Sequence, residues 1–488
     1  MTGMAQVGME ATMAPYLLAL LSGRTEDAVL QGLAPEVRRK QTFAALRTLF
    51  LALSQQRPLV VAVEDPHWID QPSEAFLALL GESLGAARIL LLLIYRPGYH
   101  HCWSEKSYYT QVALHPLGDA ESGAVIAAVL GVPAIPHNLQ ELICRKAEGN
   151  PFYLEEITRS FLERGIIQRD DATFKLSRTI TLSDVPETIQ DIIASRIDRL
   201  PEVHKRVMQT AAVIGREFAA RLLQRITEVQ AQLDDCLSAL KHLEFIYEKT
   251  VFPDLEYIFK HVLTQEAAYN SLLSTRRTRL HTAIGLAIEE LYQERLAERS
   301  EELAHHFTQG EAWDKAFVYL GKAGDKARQA YANHEALAFY TRALEVSERL
   351  TPAPDAAQLL PVYEGRGLVW MLLTRYDEAI ADFQHMRQLA RASGNRHKEG
   401  ESLSHLAFAH WAKFSEEQIP FVEQYALEAM QLFEHTGDQK SWRGVSPVLG
   451  WCSRYAATCE RATGSSRHPC RSAVRRATRT HSPPTSCG

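Results

Sequence analysis

The chain has 488 residues, of which 46% are hydrophobic and 23% charged, and it carries a formal net charge of −6. This composition is typical of globular proteins, so collagen-like and largely disordered chains are excluded, and the length favours about three domains. The slightly acidic balance gives no global reason to expect binding to nucleic acid or to a membrane surface.

Cysteine usage and hydropathy indicate an intracellular protein. The seven cysteines are odd in number and form no Cys-x-x-Cys pair, which favours reduced thiols over a disulfide or zinc framework. Residues 1–15 lack a cationic start followed by an apolar core, so no secretory signal is recognised. The longest apolar run, residues 89–94, is far shorter than the ~20 residues that span a bilayer. We therefore expect a cytoplasmic protein without membrane contact.

The first part of the chain alternates helix and strand. Residues 43–53 place apolar side chains at helical spacing, and the helix stops at Pro58, just before the apolar run 59–63. Asp70 is predicted to cap the next helix, and residues 89–94 form a second apolar strand. Two strands that are apolar throughout predict a parallel sheet covered on both faces.

The following segments are mainly helical. Residues 120–161 have a helical pattern with a break at 149–151, and residues 182–259 predict three helices followed by a hairpin, the composition of a winged helix. Amphipathic helices then follow in pairs. Residues 389–395 are echoed by residues 430–438, at an offset typical of helical-repeat proteins.

From about Cys452 the apolar periodicity is lost, and the sequence becomes a mixture of Arg, Ser, Thr, Pro and Cys. Such a segment cannot form a packed core. It is either a basic, disordered tail or a stretch translated out of its natural frame. The abrupt change of composition favours the second interpretation.

One motif predicts chemistry. The strand 59–63 ends in Glu64 and Asp65, and acidic residues at the carboxyl end of a parallel strand lie where open α/β sheets bind ligands. A hydrophobic strand closed by two acids is the Walker-B arrangement, in which one carboxylate holds Mg²⁺ through water and the next orients the attacking water. The alternative is that Glu64 and Asp65 only begin a loop and cap the next helix.

Several motifs together resemble one family. The sequence Val-Val-Ala-Val-Glu-Asp-Pro-His-Trp-Ile-Asp at 60–70 resembles the Walker-B segment of signal-transduction ATPases with numerous domains, the STAND class. The similar branch is that of predicted ATPases associated with class III adenylate/guanylate cyclases, protein kinases and LuxR-type regulators. Further matching segments lie at 94–97, 114–117, 149–156, 196–200, 211–218 and 259–269.

The resemblance gives matching residues a role. It implies that Glu64 and Asp65 are catalytic and hold Mg²⁺ indirectly, and that Arg96 is the sensor arginine that reaches the nucleotide phosphates. Pro151 resembles the proline of the GxP motif near adenine, and His261 resembles the winged-helix histidine that holds the ADP-bound state. Each has a structural alternative: a solvated strand-end arginine, a helix breaker, and a core or surface histidine.

The predicted fold is therefore multidomain, α/β plus all-α. We expect residues 1–118 to be the C-terminal part of a P-loop-type nucleotide-binding domain with a parallel sheet. We assign 119–181 to a helical subdomain with the GxP motif and 182–262 to a winged-helix-like domain. We assign 263–451 to tetratricopeptide-like repeats that form an α-solenoid, and 452–488 to the basic tail.

The expected cofactors are ATP or ADP with Mg²⁺, but the phosphate loop is missing. No G-x-x-x-x-G-K-[ST] string occurs in the sequence, and that loop supplies the backbone N–H groups and the lysine that hold the phosphates. We therefore expect impaired nucleotide binding, and ATP hydrolysis stays an open question. No segment is left over for a cyclase catalytic domain.

Three functions remain open. The first is a switch in which the ATP/ADP state gates the winged-helix and repeat domains, and the second is a nucleotide-independent scaffold whose repeats bind a protein partner or effector. The third, a DNA-binding regulator, is the least favoured, because residues 200–244 contain about as many acids as bases. An incomplete sheet would expose a strand edge and favour oligomers.

Overall fold

The computed structural model describes residues 9–22, 30, 33–96, 98–99, 106–133, 135–170, 173–177, 188–250, 254–413, 415–436 and 441. The predicted tail, 452–488, lies outside these residues. The chain divides into two compact units, the first comprising 1–109, 297–304 and 313–488, the second 110–296 and 305–312. Helices dominate, beside three small sheets. The coarse prediction of many helices with a small α/β part is confirmed.

The first unit begins with the α/β part. Its elements are α1 (Ala14–Ser22), α2 (Pro35–Gln56), β1 (Leu59–Glu64), α3 (Gln71–Gly81) and β2 (Ile89–Ile94). β1 and β2 pair in parallel, from Leu59 opposite Ile89 to Glu64 opposite Ile94. The side chain of Asp70 accepts a hydrogen bond from the Ser73 N–H at 2.8 Å and caps α3 as predicted.

The prediction that both faces of this sheet are covered was wrong. Side chains alternate along β1 and β2, and one face is open: Val60 is 63% exposed and Leu90 59% exposed. On the same face lie Leu92 and Ile94. A continuous apolar run shows that both faces of a strand are apolar, but it does not show which neighbouring elements cover them.

The helical part of the first unit consists of consecutive helix pairs. Its helices are α14 (Trp313–Gln329), α15 (Asn333–Ser347), α16 (Ala356–Leu372), α17 (Tyr376–Ala392), α18 (Arg396–Ala412) and α19 (Ile419–Thr436). α16 begins before Pro361, because Asp355 and Gln358 form a reciprocal capping box that satisfies the first free N–H groups.

A recurring packing unit supports the repeat character of these helices. The ring of Tyr340 lies against Gly324, and the ring of Phe383 lies against Gly367 with the same spacing along the chain. A Cβ atom on either glycine would come within 2.7 Å of a ring atom. Each glycine therefore lets an aromatic side chain of the following helix approach the backbone. The helical-repeat prediction is confirmed at this level.

The described residues of the second unit include two hydrophobic cores. The first is built on α4 (Asp119–Leu130), α5 (His137–Ala147) and α6 (Pro151–Glu163), followed by the antiparallel pair β3 (Ile167–Asp170) and β4 (Thr173–Leu176). Buried residues of this core include Ile126, Ile143, Leu154 and Phe161. The helical pattern predicted after the sheet, with its break before Pro151, is thus confirmed.

The second core combines helices with a three-stranded antiparallel sheet in the order β5-β7-β6. Its elements are α7 (Ile189–Asp198), α8 (Glu202–Ile214), β5 (Glu217–Ala219), α9 (Ala220–Ile226), α10 (Leu233–His242), β6 (Ile246–Thr250), β7 (Glu256–Phe259), α11 (Val262–Asn270) and α12 (Ser274–Leu291). Sequence analysis predicted three helices and a hairpin, and missed β5 and α9. Both are very short, so no periodicity marks them.

The last helix of the second region, α13 (Ser300–Gln309), is divided between the units, with residues 305–309 belonging to the second. Across the described residues, every helix is too short or too polar to cross a bilayer.

Candidate functional site

The carboxyl edge of the parallel pair brings three of the predicted site residues together. Glu64 lies opposite Ile94, and the Asp65 N–H donates to the Ile94 carbonyl at 2.9 Å, one step beyond the ladder. Arg96 follows β2 by two residues. Because parallel strands end at the same edge, the two carboxylates and the guanidinium belong to one edge of the sheet.

The backbone turns sharply at Asp65. This residue has φ 53° and ψ 41°, the left-handed conformation that Asp tolerates better than most residues. A single turn of 3-10 helix, Pro66–Trp68, follows and is closed by a hydrogen bond from the Trp68 N–H to the Asp65 carbonyl at 3.0 Å. The Asp65 side chain remains 41% exposed at the edge.

The alternative role of Glu64 and Asp65 as caps is not observed. α3 is capped by Asp70, and the Asp65 side chain makes no capping hydrogen bond to the turn that it begins. Two exposed carboxylates at a strand end are compatible with water-mediated Mg²⁺ binding, in which phosphate oxygens and water complete the shell. Among the described residues, no cluster of three or more His, Cys, Asp or Glu side chains could hold a metal without such help.

Two aromatic residues that sequence analysis did not single out complete this edge. The guanidinium carbon of Arg96 lies 5.7 Å from the centre of the Trp68 ring, within the range of a cation–π contact. The His67 ring lies 4.7 Å from Trp68, and its Nε2 is 3.9 Å from Asp65 Oδ1. The signal was present in the sequence as a His-Trp pair between the strand-end acids and the cap of α3.

Pro151 and His261 belong to the second unit, and the structure gives both a local role. Pro151 is the first residue of α6, after the N-cap Asn150, whose side chain accepts from the Tyr153 N–H at 3.2 Å. His261 caps α11, because its Nδ1 accepts from the Leu263 N–H at 3.1 Å. Their roles as nucleotide contacts stay predictions.

His261 also joins α11 to α6. Its ring stacks on Phe152, with centroids 4.0 Å apart and an angle of 16° between the planes. The segments around 149–156 and 259–269, which both carry the family resemblance, are thus in direct contact within the second unit.

An ionic network lies beside that stack. Lys260 Nζ is 2.6 Å from Glu155 Oε1 and 2.9 Å from Glu244 Oε2, and Arg159 contacts the same two carboxylates at 2.9 and 2.7 Å. Burial works against the charged form of Glu155, but the hydrogen bonds and charges of Lys260 and Arg159 outweigh it and keep its pKa below the ordinary value. The network ties α6 to the three-stranded sheet.

A second, more buried network involves Arg196, from the matching segment 196–200. The residue is only 3% exposed, its Nη1 lies 2.7 Å from Glu156 Oε2, and it also pairs with Glu163. Its guanidinium carbon is 4.6 Å from the centre of the Phe245 ring. Burial opposes the charge, yet the hydrogen bonds with Glu163 and the charge of Glu156 raise the pKa of Arg196 above its ordinary value.

The glycine before the GxP proline provides a test of this junction. Gly149 has φ 72°, its carbonyl accepts from the Leu117 N–H at 2.9 Å, and an added Cβ would lie 2.5 Å from the Leu117 carbonyl oxygen. We expect Gly149→Ala to lower the free energy of unfolding of the second unit by about 1–3 kcal/mol, since strain and a steric clash add.

Gly165→Ala is the matched control for this prediction. Gly165 has φ 66°, and no atom lies within 4 Å of its added Cβ, so this variant carries the backbone strain without the clash. Amide hydrogen exchange in α6 of both variants measures the difference. Equal losses of stability would show that the close approach of Leu117 is unimportant.

Glu64, Asp65 and Arg96 lie in the first unit, and Pro151 and His261 lie in the second. The candidate residues therefore form two local groups, each with its own geometry. The group at the edge of the parallel sheet consists of exposed charged side chains. The group at α6 and α11 consists of capping, stacking and paired residues.

Part of the chain matches a described family, and a longer part is similar to a known protein. Residues 118–175 match a family described as a domain of unknown function (DUF8739). An uncharacterised protein of Rhizobium meliloti (strain 1021) is 27% identical over 329 residues, which is 67% of this chain and 31% of that protein. The chain therefore spans less than a third of the length of this relative.

One solved structure is a signal transduction ATPase with numerous domains (STAND) that has a tetratricopeptide repeat sensor, from Pyrococcus horikoshii. It covers 94% of this chain and 83% of its own, with 12% identity and a TM-score of 0.34. A similarity of this size carries no argument about fold or function.

Proposed function

We propose that this chain is part of a STAND-type signal-transduction ATPase, in which the ATP or ADP state gates a winged-helix-like domain and tetratricopeptide-like repeats. The observation that supports this proposal is the carboxyl edge of the parallel pair. Glu64 ends β1 there, Asp65 follows it, and Arg96 follows β2, which pairs with β1 in register. Acidic side chains and a guanidinium at one sheet edge suit a magnesium–phosphate ligand.

In this proposal Glu64 and Asp65 hold Mg²⁺ through water, and Arg96 contacts the phosphates. Bound Mg²⁺ would neutralise phosphate charge and orient its oxygens. Asp65 is suited to its role, because it is exposed and has no capping duty. Arg96 is suited to its role because guanidinium groups match phosphate oxygens in geometry and keep their charge.

The part that responds to nucleotide is, in this proposal, the junction of α6 with β7 and α11. It holds many paired charges, including Lys260 with Glu155 and Glu244. Networks of this kind can adopt two discrete arrangements and so serve as switch elements. The helix pairs α14 to α19 would then bind a protein partner or effector, as helical repeats commonly do.

The expected affinity is low. With no glycine-lysine phosphate loop in the sequence, we expect MgADP to bind this chain with a dissociation constant on the order of 1 mM, equivalent to about −4 kcal/mol. Calorimetric titration with MgADP, and with ADP in the presence of a chelator, measures both the affinity and its dependence on the metal.

Two substitutions test whether nucleotide binds at the carboxyl edge of the parallel sheet. We expect Asp65→Asn to weaken the Mg²⁺ dependence of nucleotide binding, since Glu64 remains. We expect Arg96→Gln to weaken nucleotide binding about tenfold, since a charge-assisted contact is worth about 1.5 kcal/mol. Arg57→Gln is the control, because Arg57 is an exposed arginine that precedes β1 at the opposite edge. Equal effects of Arg57→Gln and Arg96→Gln would contradict the assignment of the site.

A nucleotide-independent scaffold is the second candidate, supported by the regular helix pairs and by exposed aromatic side chains such as Phe408 and Phe421, which are 47% and 45% exposed. It predicts partner binding that is unaffected by ADP. Absence of any heat of binding at millimolar MgADP would reject the nucleotide switch and favour this scaffold. DNA binding is not proposed.

A further inference from the structure

The turn Pro66–Trp68 contains a large aromatic side chain that is poorly explained by packing. Trp68 is 62% exposed, although an indole is among the side chains that gain most from burial. It lies immediately after the acidic strand end and before the cap of α3. Its position is therefore fixed by the backbone on both sides, and not by burial of the ring.

The Trp68 ring contacts the side chains of Arg96 and His67. The guanidinium carbon of Arg96 lies over it at 5.7 Å, and the ring of His67 lies 4.7 Å away, tilted by 50°. The three side chains His67, Trp68 and Arg96 thus form a row along the carboxyl edge of β1 and β2. Arg96 comes from the end of β2, so this row joins the two strand ends.

The buried member of this row is His67. Its side chain is 16% exposed, and neither ring nitrogen has a hydrogen-bond partner within the described structure or contact with solvent. Such groups are rare in folded proteins and need an explanation. Nε2 lies 3.9 Å from Asp65 Oδ1, which is slightly too far for a hydrogen bond and close enough for one to form after a small rotation.

We propose that Trp68 is a positioning residue for Arg96, and that the His67-Trp68 turn sets the separation between the Asp65 carboxylate and the Arg96 guanidinium. This inference rests on the proposed function for its ligand, a magnesium–nucleotide phosphate. A long arginine side chain loses much rotamer freedom when it binds a phosphate. A stacking surface that restricts it beforehand reduces that loss, so phosphate binding becomes stronger.

The first test uses a double-mutant cycle. Trp68→Leu should weaken MgADP about twofold to fivefold, the equivalent of the ~0.5–1 kcal/mol of an exposed cation–π contact. Trp68→Phe keeps an aromatic face and should bind nearly as well as the native chain. In the Arg96→Gln background, Trp68→Leu should have no further effect, because its influence passes through Arg96.

Additive effects in that cycle would overturn the proposal, since they would mean that Trp68 acts on the ligand or on the fold independently of Arg96. Global damage is not expected, because Trp68 is largely exposed. Circular dichroism of Trp68→Leu and Trp68→Phe checks this. A loss of binding in both variants alike would likewise contradict an aromatic positioning role.

The second test needs no nucleotide. Phenylglyoxal adds to arginine guanidinium groups, and the Trp68 ring, whose centre is 5.7 Å from the Arg96 guanidinium carbon, restricts access to Arg96 from that side. We expect Arg96 to be modified about twofold to fivefold faster in Trp68→Leu than in the native chain or in Trp68→Phe, in proportion to the same ~0.5–1 kcal/mol. Mass spectrometry of the peptide containing Arg96 gives the rate, with Arg57 as the internal reference.

The two tests separate the two proposals. If the native chain binds no MgADP but Trp68→Leu accelerates modification of Arg96, the proposed function fails and the positioning of Arg96 by Trp68 stands. If nucleotide binds and the modification rate of Arg96 is unchanged in Trp68→Leu, the proposed function stands and the positioning role is wrong.

Discussion

Replacement of Arg196 by Met is expected to cost the second unit about 3–5 kcal/mol of unfolding free energy, the range found when one partner of a buried ion pair is removed. Arg196 is 3% exposed and pairs with Glu156, whose side chain is 4% exposed. The substitution keeps most of the aliphatic volume. The loss therefore comes from a carboxylate that is left buried without its partner.

This prediction can be checked by hydrogen exchange, because a chain of several domains does not unfold in a single step. Amide exchange in α6 and α7 reports the opening of the unit that holds the pair. Arg206→Met is the matched control, since Arg206 pairs with Glu202 in a contact whose side chains are 48% and 66% exposed. It should change stability by less than about 1 kcal/mol.

A second substitution distinguishes a buried charge from lost packing. In Arg196→Met combined with Glu156→Met, no unpaired carboxylate remains at the most buried position, so part of the stability should return. Glu163, the other partner, is 26% exposed and can be solvated. If the double variant is no more stable than Arg196→Met, the network contributes through packing on Phe245 and not through charge.

Acidification is expected to destabilise the second unit before any carboxylate is protonated. His281 and His306 are 1% and 2% exposed, and their Nδ1 atoms are 2.9 Å apart. His281 Nε2 is also 3.1 Å from the Tyr269 hydroxyl. One Nδ1 must donate and the other accept, so the hydrogen bond needs at least one neutral ring and is lost when both rings are protonated.

The pKa values follow from that arrangement. Burial lowers the pKa of His281 to about 4, with further contributions from His305 and Arg277. Burial also lowers the pKa of His306 to about 3, aided by His281 and His305. The unfolded chain, with an ordinary histidine pKa of 6.5, binds these protons first. Stability is therefore fully present above pH 6.5 and falls as the pH decreases toward these folded values.

The measurement is the free energy of opening of the second unit between pH 6.5 and 5, taken from amide hydrogen exchange in α12. Each histidine should contribute a slope that approaches about 1.4 kcal/mol per pH unit. His306→Phe should reduce the slope, because one titrating group is removed. His242→Gln, at an exposed position of α10, should leave it unchanged. A slope independent of His306 would contradict the assignment.

The Arg196 network and the His281–His306 pair each join two helices of the second unit. Arg196 with its carboxylates joins α7 to α6, and the histidine pair joins α12 to the second half of α13. Both are polar contacts in a dry environment, where a lost partner is costly.

Sequence periodicity determined much of the local structure. The apolar runs 59–63 and 89–94 became parallel strands, Asp70 became a cap, and the later part of the chain forms helix pairs as predicted. These features depend on neighbours within a few positions along the chain. Spacing, capping residues and proline are sufficient to specify them.

Glu64 and Asp65 were predicted from their position at the end of a strand, and the family resemblance implied the roles of Arg96, Pro151 and His261. Glu64, Asp65 and Arg96 lie at one sheet edge because parallel pairing aligns the strand ends, and the sequence already contained both strands. The role of Trp68 could not be predicted, since it depends on where Arg96 lies across the edge. His261 looked like a ligand contact, while its cap and its stack on Phe152 are visible only in the fold.

The sequence by itself determined where helices and strands form and which charged residues end the two parallel strands. Only the tertiary structure shows that one face of that sheet is open and that Arg196 is buried between Glu156 and Glu163. The same holds for the hydrogen bond between the Nδ1 atoms of His281 and His306. The physical reason is distance along the chain. Burial and pairing arise from residues tens of positions apart, and composition does not encode which of them meet.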